Sequence, residues 1–199
     1  MSDAQSLHSD LAFMRAVADD RGPMPRTIGE HMLAPGLIFG ANFVLIWASQ
    51  AHLIALPHWL DMFAWIPGAA LYLACYPVLM ARSKGAAIGP GARAFAAVWC
   101  GVALMTLASV AVLVAAAVST HRTFHEIWPA SAFVLYGGAW ITIAIIRRSW
   151  GWALVGIGSF VTAVAAAAIL FKPESYLIMT AGLILFVAGP GLQIIRRAR

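Results

Sequence analysis

Six side chains in this chain have the type and spacing to hold a metal ion. His52 and His58 flank one junction, with Asp61 a turn further on. His121 and His125 stand four apart at another, with Glu126 beside them. Neutral imidazole suits zinc, copper or iron, and three or four converging ligands make a site. A helical stretch from His121 to His125 would put both rings on one face. The metal reading therefore rests on His52, His58, His121 and His125. A plainer reading competes with it. Histidine is half apolar and half polar, and it suits the boundary between lipid and water. The metalloprotease form of this spacing also needs a glutamate between the histidines, and here Arg122, Thr123 and Phe124 intervene.

Other chemistry finds little footing. No catalytic residue is expected. The serines and threonines within the apolar blocks have no base near them in sequence. Gly89-Pro90-Gly91 lacks the Gly-Lys-Ser/Thr ending of a phosphate loop. No apolar block carries a histidine at depth, so haem ligation between helices is not expected. Intramembrane carboxylates and lysines usually mark proton and ion pathways; here Asp61 and Glu126 fall in outer turns. Asn42, Thr106, Ser109, Thr142, Thr162 and Thr180 remain as hydrogen-bonding groups within apolar surroundings.

The elements that must position these groups are helices in lipid. Of the 199 residues 62% are hydrophobic and 11% charged, against about half and a quarter in a soluble domain. About 20 apolar residues cross a bilayer as a helix. Six such blocks are expected: Leu33–Ile54, Trp59–Met80, Ala94–Val118, Ile127–Ile146, Trp150–Phe171 and Tyr176–Ile195. The fold class is all-α, a polytopic six-helix membrane bundle. It divides into a cytoplasmic segment, residues 1–31, and a transmembrane domain, residues 32–199. No cleavable signal peptide is visible in the first thirty residues, which are rich in aspartate and lack an apolar core.

Within the polar segment Leu7, Leu11, Met14 and Val17 fall at helical spacing. An amphipathic helix is expected over Ser6–Asp19, lying on the membrane surface, packed across the bundle, or docking a partner. Asp20-Arg21-Gly22-Pro23 ends it.

Packing signals are small residues. Gly36 and Gly40 form a GxxxG pair, and Ser159, Ala163 and Ala167 form a seam at four-residue steps. Pro67-Gly68 should kink the second span, and Gly189-Pro190-Gly191 should loosen or bend the last. Asn42 should find a partner across helices. Short loops predict that successive helices pack as antiparallel neighbours. Cys75 and Cys100 read as buried packing residues.

Charge sets the orientation. Eleven of the 13 basic residues fall at every second junction, and Arg122 and Lys172 fall at the others. Both termini are then cytoplasmic. The net charge of +5 reflects this bias rather than a basic stripe for nucleic acid, and no nucleic-acid partner is expected. Trp47, Trp59 and Trp128 belong to the outer aromatic belt, and Trp99, Trp150 and Trp152 to the inner one.

The run Asp10-Leu11-Ala12-Phe13-Met14-Arg15, followed by the spans and the closing Arg196-Arg197, resembles small six-span bacterial inner-membrane proteins of unknown function. The resemblance implies location and layout, and no activity. Three functions follow as expectations. The first is an accessory or regulatory subunit, with membrane lipids and other membrane subunits or further copies of itself as partners. The second is a carrier of a neutral or amphipathic solute. The third is the metal-binding protein described above, with a transition metal as cofactor.

Overall fold

The structure, a computed structural model, describes residues 7–12, 14–15, 24–55, 57, 66–83, 89–120 and 127–198. Its regular elements are all helical. They are α1 (Arg26–Gln50), α2 (Ile66–Ser83), α3 (Pro90–Thr120), α4 (Ile127–Arg147), α5 (Trp150–Ala168), α6 (Glu174–Leu183), a π-helical turn (Ile184–Ala188) and α7 (Gly189–Arg197). The last three form one continuous rod. Five of these rods are long and apolar enough to cross a membrane: α1, Pro90–Ala116 of α3, α4, α5, and Glu174–Arg197. The chain is thus an all-α, multi-span membrane protein. α2 has 18 described residues, and the expected start of its span at Trp59 lies outside the described residues.

Residues 7–12 and 14–15 are helical, and Leu7, Leu11 and Met14 are all exposed. The apolar stripe expected there exists. It is not packed across the bundle, which leaves the membrane surface or a partner as its cover. The rest of Ser6–Asp19 lies outside the described residues.

The rods line up in the order α2, α1, the α6–α7 rod, α5, α4, α3. The first and last spans are therefore neighbours. Their contact is made of glycine and alanine. A Cβ on Gly29 would meet the Gly191 carbonyl at 2.5 Å, and one on Gly36 would meet the Ala188 backbone nitrogen at 2.7 Å. Only residues without a side chain let two backbones come that close. The GxxxG pair Gly36/Gly40 serves this contact. The Gly189-Pro190-Gly191 triplet serves it from the other side, through the close approach of Gly191 to Gly29 and Leu33.

α1 and α2 pair in antiparallel fashion. Phe39 stacks near Tyr72 at 6.2 Å, His31 meets Tyr76 edge-on at 6.4 Å, and Arg82 Nη1 lies 3.9 Å from Glu30 Oε2. Glu30 also accepts a 2.9 Å hydrogen bond from Arg26 Nε. Asn42 is buried, facing the backbone gap at Gly68. Pro67 stands in the first described turn of α2, and the proline set within the helix is Pro77. The turns that would show a kink at Pro67-Gly68 lie outside the described residues, and Gly68 itself comes close to Phe39 and Asn42 of α1.

α4 and α5 form the tightest hairpin, with Gly137 under the Phe160 ring and Gly156 against Ile141. The seam on α5 is Ser159, Thr162, Ala163 and Ala166, all buried, while Ala167 is exposed. The expected four-residue step drifts to three because 3.6 residues make a turn. The serine and threonine hydroxyls along these spans mostly return to their own helices: Ser109 to Met105, Thr142 to Gly138 and Thr162 to Gly158. Thr180 also reaches the Gly40 carbonyl across helices, at 3.3 Å.

One neighbour rule fails. α2 and α3, adjacent in sequence, are not a packed pair. α3 joins the bundle only at its start, where Ala92, Phe95 and Val102 are buried. From Ala103 to Ala116 none of its residues is buried. Cys100 is exposed and Cys75 half-buried, so neither is the buried packing residue expected.

The antiparallel alternation gathers Arg26, Arg82, Arg93, Arg147, Arg148, Arg196 and Arg197 at one end of the bundle. Lys172 and His52 lie at the other. The charge bias in the sequence is thus a geometric fact of the fold.

Candidate functional site

His52 follows α1 and is exposed, with a positive φ of 57°. His58, Asp61, His121, His125 and Glu126 lie outside the described residues. Among the described residues no three metal-ligating side chains gather. The left-handed backbone of His52 costs a non-glycine residue about 1–2 kcal/mol. His52→Gly should therefore raise stability by about 1 kcal/mol, read as a higher unfolding temperature in detergent.

The structure builds a different site, from aromatic rings. Its foundation is a buried cluster where α3, α4, α5 and α7 meet α1: Met32, Phe95, Trp140, Ile143 and Ile194. Trp140 has no exposed surface. Its ring stacks flat on Trp152, with centroids 4.8 Å apart and planes 4° apart. Trp99 meets it edge-on at 5.3 Å, and Phe95 at 6.0 Å. Such pairs contribute about 0.5–1.5 kcal/mol each beyond burial.

Trp140 also has a polar task. Its Nε1–H donates to the Phe186 carbonyl at 3.0 Å. The usual donor to that carbonyl would be the backbone N–H four residues on. That residue is Pro190, which has none. The proline ring would also crowd the same carbonyl. The rod responds by widening into the π-turn, where the Gly189 N–H bonds back to Ile184. In lipid a freed carbonyl must find a partner inside the protein, and the indole of a distant helix supplies it.

From this base the aromatic contacts continue along α4. Trp99 touches Tyr136 at 5.7 Å, and Tyr136 touches Phe133 at 6.0 Å. On α2, Tyr72 and Tyr76 meet edge-on, 6.1 Å apart. Phe39 of α1 packs on Tyr72 and against the same core that Tyr136 joins. Among the described residues, the Trp99 indole N–H is buried without a hydrogen-bond partner. Rings surround it, and an aromatic face is a weak acceptor beside a carbonyl.

None of these residues stands out as a site in the sequence, where Trp99, Trp150 and Trp152 belong to the inner aromatic belt; Trp152 stacks on Trp140, Trp99 is half-buried in the cluster, and Trp150 is 83% exposed. A signal does exist. Phe95/Trp99 and Tyr136/Trp140 are aromatic pairs four apart, each on one helix face. Nothing in the spacing says that the two faces meet.

No family model matches the chain, and no curated protein or solved structure matches it either.

Proposed function

We propose that this chain is a non-catalytic accessory subunit of a larger complex in a bacterial inner membrane, docking through α3. The observation that carries the reading is the bareness of that helix. In its most apolar stretch 6% of residues are buried, against 28–50% in the other four spanning rods. Lipid covers apolar surface as well as protein does, so bareness alone does not call for a partner. The composition of the bare surface is what favours one. Ala96, Ala97, Cys100, Ala103, Ala108 and Ala111 are exposed, and Gly101 has nothing within 4 Å of where a Cβ would stand. Small residues on a helix surface suit the close approach of another apolar helix. The exposed stripe Leu7, Leu11 and Met14 supports a second point of docking on the same partner.

In this reading α2 is the sixth span, and both termini are cytoplasmic. The gathering of arginines at one end of the bundle supports that sidedness. The sequence resemblance to small six-span inner-membrane proteins belongs to the same proposal.

Gly101→Leu tests the docking face. A Cβ at this position meets nothing within 4 Å, so the isolated fold should be unchanged. In mild detergent the wild-type chain should migrate with a larger complex from its native membranes, and the variant should run alone. A wild-type chain that runs alone, or a variant that stays in the complex, would overturn the proposal.

A further inference from the structure

We propose that the arginine end of the bundle binds a surface of anionic phospholipid, with Arg148, in the turn between α4 and α5, as one of its contact points. The inference concerns lipid rather than the protein partner of α3. It stands on charge, exposure and backbone geometry at that end.

The charge there is one-sided. The acid that the described spanning rods carry at this end is Glu30, and Arg26 and Arg82 take it up, at 2.9 and 3.9 Å. Arg93, Arg148, Arg196 and Arg197 are exposed and form no ion pair among the described residues. At the opposite end the described Lys172 and Glu174 offset each other.

Two of the exposed arginines stand against local preference. Arg93 is the fourth residue of α3, near the positive end of the helix dipole, where a cation is unfavourable. Arg148 has a left-handed φ of 47°. It closes α4: its N–H donates to the Ile145 carbonyl at 3.3 Å, and the Ser149 N–H donates to the Ala144 carbonyl at 3.0 Å. Glycine commonly fills that closing position, because a side chain strains it. Arg148 also comes just before α5, whose first turn holds no acid. Arg196 and Arg197, by contrast, sit in the last turn of α7, where the dipole welcomes them.

Nothing in the described chain compensates Arg93 or Arg148. An anion outside it would. Backbone strain of this kind persists where function over-determines it. At the end of a spanning bundle the neighbouring anions are lipid headgroups, and guanidinium meets phosphate through paired N–H donors. Trp150, 83% exposed beside Arg148, suits the same headgroup layer. A zwitterionic lipid brings its own cation next to its phosphate, so unopposed arginines favour a lipid of net negative charge.

The test is thermal unfolding of the full chain in dodecylmaltoside micelles titrated with dioleoylphosphatidylglycerol. The unfolding temperature should rise saturably with lipid, and less so in high salt. Dioleoylphosphatidylcholine should raise it far less. In Arg148→Gly the fold and the lipid pull in opposite directions. Without lipid this variant should unfold at a higher temperature than the wild type, because the strain is gone. Its titration midpoint should nevertheless move to about fivefold more phosphatidylglycerol, the share of one arginine at an anionic surface. The double variant Arg196→Gln, Arg197→Gln relieves no strain and should move the midpoint at least as far. Three results would overturn the proposal: an equal rise with phosphatidylcholine, an equal rise with inorganic phosphate, or an unchanged midpoint in both variants.

Discussion

Replacing Gly191 by alanine should destabilise the bundle, although alanine is the better helix former by about 1 kcal/mol. The added Cβ would stand 2.7 Å from the Gly29 carbonyl oxygen and 2.8 Å from the Leu33 backbone nitrogen. Both are backbone atoms of α1, and neither swings aside as a side chain would. The first and last spans must separate, and the contact stretching from Gly29/Gly191 to Gly40/Thr180 loosens with them. Overpacking of this kind costs about 1–3 kcal/mol, and more where backbone meets backbone. Gly36→Leu should be worse, because its Cβ already crowds three atoms of Ala188 within 3.0 Å. Gly138→Ala is the control. Nothing stands within 4 Å of its would-be Cβ, so it should be neutral or gain up to about 1 kcal/mol from helix propensity. Thermal unfolding in detergent would rank the three. A Gly191→Ala chain as stable as the Gly138→Ala chain would show that the first and last spans do not touch as described.

Trp140→Phe should be the second large loss, about 3 kcal/mol. Part is the cavity left where an indole with no exposed surface becomes a phenyl ring. Part is the flat stack on Trp152. The distinctive part is the Phe186 carbonyl, left with neither indole nor helical donor and costing about 1–3 kcal/mol. That part is separable. Pro190→Ala restores a backbone N–H at the position four residues on from Phe186. In the Trp140→Phe background it should recover stability; in the wild-type chain it should recover less, since the carbonyl already has a partner there. A double-mutant cycle reads the difference as a coupling energy. Additive effects would mean that the indole and the proline are unrelated. Trp99→Phe is the comparison. Its N–H has no partner, so the same truncation should cost distinctly less.

The proline and the tryptophan illustrate how far the residues speak for themselves. Gly189-Pro190-Gly191 announces a disturbance in the last helix. The missing N–H of Pro190 names the carbonyl set free. Nothing along the chain names Trp140, 46 residues earlier, as the donor that answers it. The histidines show the converse case. Their spacing suggests a site, and of the four His52 falls within the described residues, exposed and with a positive φ, while the other three lie outside them. What the fold gathers is Phe95, Trp99, Tyr136, Trp140 and Trp152, from three helices.

By itself the sequence determined the solvent of this protein, its helices and their alternation. Those properties are sums over local terms: some twenty apolar residues per span, arginines at every second junction, glycines where a helix must come close. Only the tertiary structure decided that α1 pairs with the last rod, that α3 leaves the bundle beyond Val102, and that Trp140 stacks on Trp152. In lipid an apolar face gains little by choosing one apolar neighbour over another. The choice falls to the fit of small residues and a few hydrogen bonds, and fit is a property of two surfaces, which no single helix carries.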